Sequence, residues 1–98
     1  MKIVVLPSAH DDLLDGFDFY ERQVGGLGQY FLDSLFSDID SLRLYAGIHM
    51  KSHGHFRALS KRFPYAIYYE FNEDIVRIQA ILDCRRDPDA IHRRLRRL

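Results

Sequence analysis

A chain of 98 residues has room for one modest hydrophobic core, and its apolar share of 47% with an aromatic share of 13% is that of a folded globular protein and not a disordered one, so residues 1–98 are expected to form a single domain. No apolar run approaches the roughly 18 residues of a membrane span, no cleavage site follows the first run, and Cys84 has no disulfide partner, so a cytoplasmic protein without membrane contact is expected. Net charge is +0, but residues 1–40 carry two basic and eight acidic side chains and residues 41–98 carry twelve and six; that balance argues against gripping RNA by charge alone.

Lys2 to Leu6 is β-branched and apolar and ends at Pro7, which predicts a strand. A helix follows, with Ser8 and Asp11 placed for a capping box and with Leu13, Phe17, Tyr20 and Val24 at helical spacing. Gly25-Gly26 ends it, and a second helix is predicted from about Gly28 to about Leu44, its stripe being Phe31, Leu35, Ile39 and Leu42. So tight a connection makes the two helices an antiparallel hairpin. Tyr45 to Gly54 lacks period and reads as a loop. Phe56 to Ser60, Tyr65 to Phe71 and Ile75 to Leu82 read as strands of an antiparallel meander, with a turn at Asn72-Glu73-Asp74. Asp87 as cap and Pro88 at the first helical position open a short last helix with Ile91, Leu95 and Leu98 on one stripe. The expected core is Phe17, Phe31, Leu35, Ile39, Phe63, Ile67, Ile78 and Ala80.

Two stretches carry a resemblance. Lys61-Arg62-Phe63-Pro64-Tyr65-Ala66-Ile67-Tyr68-Tyr69 and Arg85-Arg86-Asp87-Pro88, with Ala9 and Asp12-Leu13 in the first helix and Gly28, Phe31 and Leu32 in the second, resemble the RelE/ParE toxin family of type II toxin-antitoxin systems, and its ParE-like branch in particular. The resemblance covers nearly the whole chain. It implies an α+β fold in the order β-α-α-β-β-β-α, with an antiparallel twisted sheet, the helical hairpin packed on one face and a short C-terminal helix. It also implies a toxin that needs no cofactor, is neutralised by a cognate antitoxin protein in a hetero-oligomer, and acts on DNA gyrase or the ribosome. The chain departs from the family pattern at Asp83, where many relatives have histidine, and between Tyr45 and His55, where the usual proline-containing turn is missing.

The candidate chemistry lies in the basic half. A ribonuclease using the 2′-hydroxyl as nucleophile needs a base, an acid and cations around the phosphorane. His55, Arg57, Lys61, Arg86 and His92 are the catalytic candidates for that chemistry, and Arg57, Lys61, Arg62, Arg85 and Arg86 are the candidates for contact with a target or antitoxin. Strand alternation would put Arg57, Leu59 and Lys61 on one surface and Phe56, Ala58 and Ser60 on the other. The bland alternatives are solubilising side chains for Arg57 and Lys61, and for Arg86 a contact that fixes its turn. His49, His53 and His55 lack a nearby carboxylate or cysteine to complete a tetrahedral site, so no metal is expected. Phe63, Tyr65, Tyr68 and Tyr69 could stack bases but fit core packing better. Cys84, beside Arg85 and Arg86, lacks a histidine that would make it a nucleophile. With no late tyrosine and an Arg-Arg-Leu end, the set is incomplete for catalysis. The expectation is therefore a toxin that binds its target, the alternatives being a ribosome-dependent mRNA endoribonuclease and an inactive relative that only binds its antitoxin.

Overall fold

The computed structural model describes Met1–Leu98. β1 (Lys2–Val5) leads into α1 (Pro7–Gln23), α2 (Leu27–Tyr45), β2 (Lys51–Ser52), β3 (His55–Leu59), β4 (Tyr65–Asn72), β5 (Ile75–Asp83) and α3 (Pro88–Arg96). The order is the expected one with a two-residue strand added, because Lys51–Ser52, inside the segment read as loop, pairs with Phe56 and His55 across a His53-Gly54 turn. Both turn residues have positive φ, 54° and 83°, as the tightest β-hairpins require. The sheet runs β1-β5-β4-β3-β2. β3, β4 and β5 form the antiparallel meander, whereas β1 lies parallel to β5 with Val5 opposite Ile78.

The capping box at Ser8 does not form. Pro7 already occupies the start of α1, with Leu6 as the extended cap residue, so Ser8 falls inside the helix and its hydroxyl donates to the Gln79 carbonyl at 3.0 Å instead. Val24, expected on the buried stripe, lies beyond the helix end and is 63% exposed. Glu21 closes the connection: its carboxylate accepts from the N–H groups of Gly26 and Gly28, supplying from α1 the acceptor that the glycine-started α2 lacks. Gly28 also sets the helix spacing, since a Cβ there would meet the Phe17 carbonyl oxygen at 2.8 Å.

The hairpin buries its stripe on one face of the sheet. Leu13 and Tyr20 of α1 and Phe31, Leu35, Ile39 and Leu42 of α2 pack against Tyr65, Ile67, Tyr69, Val76, Ile78 and Ile81 in a cluster of 14 buried residues. Tyr20, Phe31, Phe63 and Tyr65 form its aromatic end, with ring centroids 4.8 to 6.3 Å apart. Phe17 and Phe63, expected in the core, are only half-buried. The opposite face is thinner: Ala66, Tyr68, Ala80, Leu82 and Leu95 make a cluster of 5, flanked by Cys84 and Ile91. Ala80 was expected in the core together with Ile78. It is buried but faces α3, because a bulge between Tyr68 and Tyr69 pairs them with Ala80 and Ile78, leaving Gln79 unmatched and shifting the phase of β5 by one. Leu98, the last residue of the expected stripe, is 41% exposed beyond the end of α3.

Candidate binding surfaces

The residues singled out from the sequence occupy three places. The first is the α3 side of the sheet. Alternation along β3 sends Phe56 and Ala58 to the hairpin and Arg57 the other way, where its Nε donates to the Tyr68 hydroxyl at 3.2 Å and its Nη2 reaches Cys84 Sγ at 3.5 Å. The bond to Tyr68 raises the Arg57 pKa above its ordinary value, against the opposing effect of burial. His55 is buried and its Nδ1 has no partner. His92 lies exposed on α3 with its ring 4.9 Å from that of His53.

The second place is the connection between β3 and β4. β3 ends at Leu59, so Lys61 does not continue the alternation and does not share the surface of Arg57. Lys61 and Arg62 are exposed, and the turn beneath them is held by Asp38 of α2, whose buried carboxylate accepts from the Ser60 hydroxyl at 2.6 Å and from the Lys61 N–H at 3.4 Å. Asp38 carried no signal in the sequence beyond lying off the apolar stripe.

The third is the turn from β5 into α3. Arg85, not Arg86, fixes it. Its guanidinium binds Asp83 at 2.8 and 3.0 Å and the Tyr20 hydroxyl at 3.4 Å, and its N–H also donates to Asp83. Hydrogen bonds from Arg85 hold the Asp83 carboxyl below the usual carboxylate range, while burial raises the Tyr20 pKa. The Arg86 side chain is exposed and makes no hydrogen bond or ion pair, only its N–H donating to the Asp83 carbonyl. Asp87 caps α3 as expected, accepting from Asp89 N–H at 3.1 Å.

Asp12 was singled out in the sequence only as part of the resemblance, and its role lies in the packing of α3. The residue is 8% exposed; one oxygen accepts from the Ile81 N–H at 2.9 Å, and both bind the Arg94 guanidinium at 2.7 and 2.8 Å. Arg94 also donates to the Ser8 carbonyl, so this one pair ties α3 to α1 and both to the edge of β5. Such a bidentate pair fixes geometry as well as charge.

The histidines diverge: His49 bonds the Tyr69 hydroxyl, His53 turns to His92, and His55 is buried apart. No three histidine, cysteine or acidic side chains gather closely enough to hold a metal ion. Tyr65 and Tyr69 belong to the hairpin-side core and Tyr68 to the opposite cluster, so the aromatic run is packing. No helix is long and apolar enough to cross a membrane.

No family model and no curated protein matches the sequence. A solved structure does match the fold: a chain of "Chromosomal ParDE TA system from P. aeruginosa" superposes with a TM-score of 0.74 over 83% of this chain and 92% of that one, at 16% identity. Identity this low carries architecture and not residue roles. The chain has a RelE/ParE-like fold.

Proposed function

We propose that this chain is the toxin component of a type II toxin-antitoxin module, of the ParE-like kind, which blocks growth in the cytoplasm by binding a target such as DNA gyrase and is neutralised by a cognate antitoxin. The observation that carries the choice of binding over cutting is that, of the candidates on the α3 side, His55 is buried and Arg57 engaged, leaving His92 as the one exposed there, while the remaining two stand on separate turns. Lys61 stands on the β3–β4 turn and Arg86 on the turn before α3. General acid-base cleavage requires such groups to converge within hydrogen-bond reach of one phosphate. Fold likeness to a ParDE chain supports the toxin-antitoxin setting.

On this reading the candidate cations that are available to a target or an acidic antitoxin are Lys61, Arg62 and Arg86, which are exposed and in no ion pair. Arg57 and Arg85 contribute from behind, as residues that hold the sheet face and the turn. A basic surface of this kind steers an acidic partner and speeds its association.

The test begins with purified protein in a coupled cell-free translation system, with reporter mRNA 5′ ends mapped by primer extension. Intact mRNA together with inhibited gyrase supercoiling is expected. New cuts that require translating ribosomes would replace this proposal with the ribonuclease reading and direct mutation to His55, Arg57, Lys61, Arg86 and His92. Harmless high-level expression with neither effect would leave a chain that only binds its antitoxin.

A further inference from the structure

Between the end of α2 and β2, residues 46–50 carry two of the most exposed apolar side chains of the protein, Ile48 at 72% and Met50 at 86%. Side chains that point outward fix nothing, so hydrogen bonds set the path of this segment. The Ile48 N–H donates to the Tyr45 carbonyl at 3.2 Å, and the Met50 carbonyl accepts from the Arg57 N–H at 3.1 Å. Between these two ends, the polar contact with the sheet is the Tyr69 hydroxyl, which accepts from the Gly47 N–H at 3.0 Å and bonds Nδ1 of His49.

Counting hydrogens assigns the protonation of that contact. Tyr69 is fully buried, and a phenol has one hydrogen to donate and two lone pairs to offer. Gly47 takes one lone pair, so the hydroxyl hydrogen goes to the acceptor beside it, His49 Nδ1. The imidazole is therefore neutral, with its own proton on Nε2. A second proton would sit on Nδ1. Tyr69 would then receive hydrogen bonds from both Gly47 and His49, and its own hydrogen, in a dry site, would lose its acceptor and carry the penalty of any buried unpaired donor.

The surrounding elements do not offset that penalty. β4 presents the phenol to the imidazole, whereas Glu70, the next residue, alternates to the other face and is exposed. β3 supplies the Phe56 ring, stacked on Tyr69 at 5.2 Å, and β2 the Lys51 ammonium, 4.9 Å from that ring and a like charge to a protonated imidazole. α2 ends in Tyr45, and Arg43, the cation of its last turn, is bonded to Asp40. His49 is in no ion pair, and burial holds its pKa below the ordinary value. A fold that prefers the neutral imidazole keeps this stability in full above the ordinary histidine value and loses it as pH falls through the lowered one.

We infer that His49 and Tyr69 form an acid-released latch, which holds residues 46–50 against the sheet while the imidazole is neutral and frees Ile48 and Met50 to move when Nδ1 takes a proton. The Tyr69 ring stays packed in the hairpin-side core in both states, so the release is local. The latch stands independently of the toxin reading.

The experiment is amide hydrogen exchange, followed by NMR on the isotope-labelled full chain at about pH 7.5 and about pH 5. On acidification the Gly47 amide should lose protection about tenfold, after correction for the chemical exchange rate, while Phe31 and Ile67 keep theirs. His49→Asn, whose amide oxygen stands where Nδ1 does and does not titrate, should remove the difference between the two pH values. Tyr69→Phe keeps the ring and should leave Gly47 weakly protected at both. Equal protection of Gly47 at both pH values in the unaltered chain, an acid response that persists in His49→Asn, full protection of Gly47 in Tyr69→Phe, or a loss that spreads to Phe31 and Ile67 would each overturn the latch.

Discussion

The two faces of the sheet are built to different standards. On the hairpin side, two helices seal 14 buried residues around Phe31, Tyr69 and Ile78, and the polar groups that approach are few. On the α3 side, a single short helix reaches the sheet with one fully buried side chain, Leu95, and is tethered chiefly by Arg94 to Asp12. That thin side is where His55, Arg57 and His92 lie, among residues a core would not choose. The contrast teaches that stability is vested in one face, leaving the other and the turns free to carry charge. Burial of apolar area dominates the first, whereas single specific contacts decide the second.

The comparison breaks most visibly at Phe31. Its ring is fully buried against Gly16, and Phe31→Ala should cost about 3–5 kcal/mol in denaturant titration, enough to unfold a small domain at ordinary temperature. Asp12→Ala comes next, at about 3 kcal/mol, because it leaves the Arg94 guanidinium and the Ile81 N–H without their acceptor. It should loosen both faces together. Leu95→Ala should cost about 2–3 kcal/mol and sharpen the contrast: hydrogen exchange should quicken in α3 while the amides of β4 and β5 stay protected. If β4 exchanges as fast as α3, the two faces do not differ as claimed.

The smallest effect concerns pH. Burial pushes the Tyr65 phenol up to about 12, so the fold favours its neutral form. A raised pKa contributes stability that is complete below about pH 10 and is lost as pH climbs toward 12. Tyr65→Phe should therefore remove roughly 2 kcal/mol of the alkaline loss near pH 12 and change little at neutral pH, as read from urea midpoints across that range.

Elements whose cause is local were legible in the chain. The apolar stripe of α2, the turn at Glu73-Asp74 and the Asp87-Pro88 start of α3 sit where periodicity and cap chemistry place them, whereas of the α1 stripe only Leu13 and Tyr20 are buried. Even so, Pro7 displaced the capping box at Ser8, since a helix that starts at proline makes the next serine an interior residue. The candidate site was legible as a set of residue types and not as an arrangement. Arg85 and Arg86 are adjacent and identical in chemistry, yet one braces Asp83 and Tyr20 and the other stands free.

The sequence by itself determined the helical hairpin, the meander and the apolar residues that join them, because hydrophobic period and turn residues act within a few positions. Tertiary structure alone decided the parallel seat of β1, the bulge that turns Ala80 to the far face, and the meeting of Asp12 with Arg94 across 82 positions of chain. These depend on which backbone groups remain unpaired after the sheet closes, and no local pattern records that.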